Sequence, residues 1–249
     1  MSKFRCLSSN ALKLIAAAAM TADHVGIIFF PGVDIFRIIG RLALPIFAFM
    51  IAEGCRYTRS KPRYLITIAS LAAACQVVYY IVSRSLYMSI LVTFSVAIVV
   101  IYALQGFKLA LSATESQYRV IRIILSFILF AASVAGAYLL NRLIEIDYGF
   151  RGCMLPAAAS IFMPPGRDRS LPAPLDRLDK IPVHVIMMGI GLIPLAGWLG
   201  GNQWFSLLAL PLLLCYSGRR GKLKMKYFFY VFYPAHLVIL EAIDMLVSK

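Results

Sequence analysis

Five side chains that ionise or titrate lie inside long apolar runs near the start of the chain: Asp23, His24, Arg37, Arg41 and Glu53. They fall within MTADHVGIIFFPGVDIFRIIGRLALPIFAFMIAEGC, residues 20–55, where two apolar runs meet at Pro31-Gly32. An imidazole titrates near neutrality and can take and return a proton. A guanidinium can hold developing negative charge or a carboxylate. At membrane depth such groups are expensive, so by default they mark a functional site.

Spacing limits what these residues can do together. His24 lies roughly seven residues from the outer end of its run, and Arg41 roughly six from the outer start of the next, so both sit about 10 Å below the outer surface. The tight turn between the runs lets them face each other. Asp23 is about 100° round the helix from His24 and is better placed to pair with Arg37 or Arg41 than to orient the imidazole. Plainer readings stand beside the chemical one. The Asp–Arg pair would then only pin two helices, His24 would be a hydrogen-bonded interior residue, and Glu53 would pair with Arg56 three residues on or with a later basic loop.

Three more stretches carry polar chemistry. A basic cluster, Arg56, Arg59, Lys61 and Arg63, follows the second run directly. Asp147-Tyr148-Gly149-Phe150-Arg151-Gly152 reads as an outer turn, with an exposed ion pair as its plain interpretation. Tyr216-Ser217-Gly218-Arg219-Arg220-Gly221 is followed by Lys222, Lys224 and Lys226 and then by an aromatic-rich run that contains His236. Glycines flanking arginines at a helix end suit a phosphate, because the backbone can approach closely and Arg supplies paired donors. Positive charge beside an aromatic interfacial belt explains the same residues without a ligand. His236, near mid-membrane, is an alternative proton acceptor to His24.

The elements that must position these residues are membrane helices. The chain of 249 residues is 61% hydrophobic and only 14% charged, with a mean hydropathy of +0.82. Soluble domains carry about 25% charged residues. Apolar runs of membrane length recur throughout, which sets the fold class as all-α, a polytopic transmembrane helical bundle. A β-barrel is excluded, because its strands alternate apolar and polar residues. About nine spans are expected, near residues 12–30, 35–55, 64–82, 86–105, 120–140, 149–163, 181–199, 204–217 and 228–247, with the sixth and eighth short. Pro45 falls inside the second and should kink it. The basic, then apolar, start resembles a signal peptide, but the apolar character resumes at Val25, so it reads as part of the first span. The whole chain, 1–249, reads as a single integral membrane domain, and residues 163–180 as an extended Pro-rich linker.

With the N-terminus in the cytoplasm, 19 of the 25 Lys and Arg residues fall on the cytoplasmic side, Lys108 among them in a loop. This asymmetry accounts for the net charge of +14 without a nucleic-acid partner. The five cysteines are scattered and have no C-x-x-C spacing, so neither a disulfide framework nor a metal site is expected.

Ordered blocks along nearly the whole chain resemble the TraX family of bacterial membrane proteins. They are Asp23-His24, Gly40 to Phe49, Glu53-Gly54, Thr58-Arg59, Asp147 to Gly152, Tyr216 to Gly221 and Lys226 to Leu237. The resemblance implies a bacterial cytoplasmic (inner) membrane protein. It also implies acetyl transfer, since the founding member is associated with conjugation and acetylates the N-terminus of processed F-type pilin. The family resembles the wider group that includes acyltransferase-3 proteins and heparan-α-glucosaminide N-acetyltransferase, which draw on cytoplasmic acetyl-CoA. In acyltransferase-3 proteins the early Arg precedes the His, whereas here His24 precedes Arg41, so that relation supports the reaction class more than any one residue.

The expectation is therefore an acetyl-CoA-dependent acyltransferase with a peptide or glycan acceptor, the N-terminal amine of a pilin-like peptide foremost. His24, or else His236, would be the base, Arg41 would stabilise the developing oxyanion or position the acceptor, and Asp23 would set the charge of Arg37 or Arg41. Arg56, Arg59, Arg63, Arg219, Arg220 and Lys222 would hold the phosphates of acetyl-CoA. Intramembrane His, Asp, Glu and Arg also suit a proton-coupled transporter. No internal repeat of the kind many transporters show is evident. A non-catalytic assembly protein and an O-acetyltransferase acting on a cell-surface glycan are the remaining alternatives.

Overall fold

A computed structural model describes residues 5–84, 87–113, 117–223 and 225–247. Lys3, Lys224 and Lys249 of the charge count, and Leu86 at the expected start of the fourth span, lie outside the described residues. Among the described residues the secondary structure is helical, and seven segments are long and apolar enough to cross a membrane. Two further helical segments, the sixth and eighth, are shorter, which gives the nine expected among the described residues. The chain divides into two compact units, Met1–Met50 with Leu192–Lys249 and Ile51–Gly191.

In the first unit, α1 (Ser9–Phe29) begins at Ser8, whose Oγ accepts from the Ala11 amide at 3.2 Å. The segment around residues 216–223 closes over this helix start. The Ser9 amide donates to the Arg219 carbonyl at 2.8 Å and the Asn10 amide to the Arg220 carbonyl at 3.2 Å. Asn10 Nδ2 donates to the Leu223 carbonyl at 2.6 Å. Gly221 has φ +94°, and a Cβ there would meet Ser8 Oγ at 2.9 Å, so the clasp requires glycine. These carbonyls and the Ser8 hydroxyl satisfy the first N–H groups of α1, which have no intrahelical partner of their own.

Pro31-Gly32 ends α1, and Gly32 takes φ +99°. The second span, expected as one helix with Pro45 inside it, is two helices: α2 (Asp34–Gly40) and α3 (Ala43–Tyr57). Pro45 has no N–H to bond the carbonyl four residues back, so the chain turns at Arg41-Leu42 and restarts with Pro45 in a first turn, where no donor is needed. α1 packs closely because Ala16, Ala17 and Ala19 are small and buried. Ala19, Met20 and Ala43 form a cluster flanked by Leu42, Phe47, Phe232 and Tyr233.

In the second unit, α4 (Lys61–Ser83), α6 (Arg119–Leu143) and α7 (Gly149–Ala159) pack on α5 (Ile90–Ser112). α5 buries Phe94, Ala97, Ile98 and Ile101. On α6 only Ala137 is buried, so the helix presents apolar side chains around nearly its whole circumference, as lipid contact requires. α5 runs past its expected end at Gln105 and carries Lys108 inside it rather than in a loop. The buried Lys108 ammonium donates to the Ser160 carbonyl at 2.6 Å and the Met163 carbonyl at 2.9 Å. These carbonyls follow α7, where the helical ladder has run out, and the long Lys stem reaches them through apolar surroundings.

α8 (Ile181–Leu199) ends at Gly200 and Gly201, both with positive φ. A 3-10 helix (Gly201–Leu208) and the short α9 (Ala209–Leu214) follow, and α10 (Lys226–Val247) is last.

Candidate functional site

The polar residues of the first unit meet where α1, α2, α10 and the 3-10 helix come together. Asp23 faces α2, and its carboxylate takes Arg37 Nη1 at 3.2 Å through Oδ2 and lies 3.9 Å from Arg41 Nη2 through Oδ1. Gly40 makes this possible: a Cβ there would collide with the Asp23 carboxylate. The glycine thus opens a slot for the acid between two arginines at positions 37 and 41 on one helix face. Arg41 Nη1 also donates to Gln203 Oε1 at 3.1 Å. The paired charges offset the cost of desolvating each one.

His24, one residue on, faces α10. Its ring meets that of His236 edge-on, with centroids 5.1 Å apart and planes at 77°. Both histidines use the same local bond, His24 Nδ1 at 2.8 Å from the Met20 carbonyl and His236 Nδ1 at 3.0 Å from the Phe232 carbonyl. A carbonyl can only accept, so Nδ1–H donates in each ring and Nε2 carries the lone pair when the ring is neutral. Phe232 stacks on His236 at 5.2 Å with the planes 6° apart. His236 Nε2 is buried without a hydrogen-bond partner among the described residues. The arrangement offers two imidazole nitrogens for proton transfer beside two guanidinium groups held by one carboxylate.

The expected phosphate ligands separate into three sets. Arg219, Arg220 and Lys222 are exposed on the clasp over α1. Their loop's glycines serve first to let the backbone cap α1. Arg59 and Arg63, in the second unit, are also exposed. Arg56 is not a free cation: it forms a two-pronged salt bridge with Asp179, with both bonds at 2.8 Å. Asp179 also meets His184 Nε2 at 3.3 Å, and His184 Nε2 lies 3.2 Å from the Phe162 carbonyl. Burial alone would raise the Asp179 carboxyl, but hydrogen bonds from His184 and Arg56 and the Arg56 charge outweigh it and hold the group below the usual carboxylate range. Glu53 is buried in the same unit.

The Asp147 turn is structural in its contacts. Tyr148 and Gly149 both take positive φ, the Tyr87 hydroxyl donates to Asp147 Oδ1 at 2.8 Å, and Thr93 Oγ1 donates to the Asp147 carbonyl at 2.7 Å. Burial, then the Asp147 charge, pushes the Tyr87 phenol up.

Gln203, Lys108, Asp179 and His184 are not among the residues that the sequence singles out for chemistry. His184 is 2% exposed and stands alone in an apolar run, the same signal that singled out His24. Gln203 follows a Gly-Gly-Asn turn and has the local look of a loop residue.

Nearly the whole chain has known relatives. The family model described as TraX protein matches residues 8–244. "Uncharacterized protein RP591" of Rickettsia prowazekii (strain Madrid E) is 42% identical over 57 residues, an alignment that covers 23% of each chain. "Probable fimbrial assembly protein FimC, serogroup H1" of Dichelobacter nodosus is 26% identical over 262 residues, 96% of this chain and 97% of the relative. No solved structure matches the chain. Seven membrane-length apolar helices among the described residues and a family match from residue 8 to residue 244 lead to one identification: this multi-pass membrane protein belongs to the TraX family.

Proposed function

We propose that this chain is an acetyltransferase embedded in the bacterial inner membrane, with its N-terminus in the cytoplasm, moving an acetyl group from cytoplasmic acetyl-CoA to the N-terminal amine of a pilin-like peptide at or across the membrane. The observation that carries the reading is the meeting of His24 and His236 beside the Asp23–Arg37–Arg41 group, inside helices of membrane length. The family supports the reaction class, and the fimbrial assembly relative supports the pilin context.

In this reading the donor lies along the first helix of the first unit. Arg219, Arg220 and Lys222 stand at the start of α1, and His24 lies roughly 22 Å further along the same helix. The arginines and the lysine receive the donor's phosphates, and its extended arm follows α1 toward Asp23 and His24. The acceptor amine nitrogen bonds to the thioester carbonyl carbon, and the carbon–sulfur bond breaks. His24 Nε2 takes the amine proton and returns it to the departing thiolate, so the products are an amide and free CoA. Arg41 holds negative charge on the acyl oxygen while it lasts. Asp23 keeps the two arginines in place throughout.

The test is chemical. Purified protein given acetyl-CoA and a synthetic peptide with a free N-terminal amine should produce a peptide heavier by one acetyl group, and a peptide with a blocked N-terminus should stay unmodified. Acetylation of hydroxyls alone would move the reading to an O-acetyltransferase. Tight acetyl-CoA binding with no transfer to any acceptor would contradict it.

A further inference from the structure

The 3-10 helix Gly201–Leu208 carries two buried polar side chains to which the transfer step gives no role. Gln203 is 3% exposed and Ser206 is 0% exposed. A 3-10 helix has three residues per turn, so positions 203 and 206 lie on one face. Arg41 can only donate, which fixes the Gln203 amide: Oε1 faces Arg41 at 3.1 Å, and the amide NH2 is left for something else. Gln203 Nε2 and Ser206 Oγ are both buried and lack a hydrogen-bond partner among the described residues. Leaving a buried donor unmade costs about 1–3 kcal/mol, so a buried amide with one bonded and one open end is a sign of a ligand contact.

We infer that Gln203, with Ser206 beside it, forms the subsite for the acyl carbonyl oxygen of the donor, with Gln203 Nε2–H, Ser206 Oγ–H and Arg41 as its donors. This rests on the acetyltransferase reading and extends it to a specific atom. Gln203 accepts from Arg41, Arg41 lies 3.9 Å from the Asp23 carboxylate, and His24 is the residue next to Asp23. As the acceptor nitrogen bonds to the carbonyl carbon, the carbonyl electron pair moves to the acyl oxygen. Gln203 Nε2–H, Ser206 Oγ–H and an Arg41 N–H donate to that oxygen. The pair returns when the carbon–sulfur bond breaks, and nothing is oxidised or reduced. Gln203 therefore both orients Arg41 through its oxygen and supplies a neutral N–H aimed at the developing charge.

Gln203→Glu separates these two roles, because it keeps an oxygen for Arg41 and replaces the donating NH2 with an acceptor. Thermal stabilisation of the purified protein by acetyl-CoA and by CoA, which lacks the acyl oxygen, reads the contact directly. Acetyl-CoA should protect the wild type more than CoA does. Gln203→Glu should abolish that difference while still being protected by CoA, and should lower the transfer kcat by about 10²–10³-fold. Where Gln203→Glu does not fold, Ser206→Ala removes only a hydroxyl and should shrink the difference. A difference that persists in Gln203→Glu, or is untouched by Ser206→Ala, overturns the assignment. Equal protection of the wild type by the two ligands overturns the acyl subsite and leaves donor binding standing. Protection by neither overturns both readings.

Discussion

A carboxylate between two arginines and an imidazole beside another imidazole are the two residue-scale facts from which the rest follows. Asp23 and His24 are neighbours in the chain but point about 100° apart, so one serves the arginines of α2 and the other meets α10. This division depends on a missing side chain. Gly40 leaves the room that the Asp23 carboxylate fills, so Gly40→Ala should push the acid away from Arg37 and Arg41. The expected loss is about 1–3 kcal/mol of stability from overpacking, measured as a lowered unfolding midpoint in detergent. Asp23→Ala, which empties the slot, should partly rescue Gly40→Ala. Unchanged stability in Gly40→Ala would show that the slot has slack.

At the scale of elements, a buried charge and a half-buried one tie helix ends together. Lys108 holds the carbonyls that follow α7, so Lys108→Met should lower stability by about 1–3 kcal/mol and speed hydrogen exchange at residues 160–163. The second tie, Asp179 with Arg56 and His184, responds to pH. Folding lowers the carboxyl below its unfolded value, so the stability it contributes is present above the ordinary carboxylate range and is lost as pH falls through the folded value. A thermal scan between neutral and acid pH should show an acid loss that is smaller in Asp179→Asn. Equal acid sensitivity in the two proteins would remove Asp179 from the account. Neither tie was evident from the residues in order. Lys108 reads as one more positive-inside charge until α5 is seen to continue past it. Asp179 sits in a mixed-charge linker, and its partner Arg56 lies far from it in sequence.

Across the molecule, what was legible followed from hydropathy alone. Runs of about 20 apolar residues require helices, because the bilayer offers no other partner for the backbone. The shortness of the sixth and eighth segments was legible for the same reason. His24 and His236 stood out as titratable groups in apolar runs, but their contact was not legible, since it joins the first helix to the last. Gln203 was hidden by the same distance, because only the fold brings it to Arg41. The proposed orientation rests on the Lys and Arg asymmetry and can be checked directly. Single cysteines introduced between residues 163 and 180 should react with a membrane-impermeant thiol reagent from the cytoplasmic side only. Reaction from the opposite side would invert the topology and separate Arg219, Arg220 and Lys222 from cytoplasmic acetyl-CoA.

The central claim is that this TraX-family chain moves acetyl groups and that His24 takes the proton. The most direct measurement follows label from radiolabelled acetyl-CoA in membranes carrying the wild type or His24→Ala, with equal amounts of folded protein in each. The account predicts label on a membrane or cell-surface acceptor with the wild type, reduced about 10²–10⁴-fold in His24→Ala. Label that persists within a few-fold in His24→Ala would contradict the assignment of the base. An absence of label, together with no binding of acetyl-CoA to the purified wild type, would contradict the reaction itself.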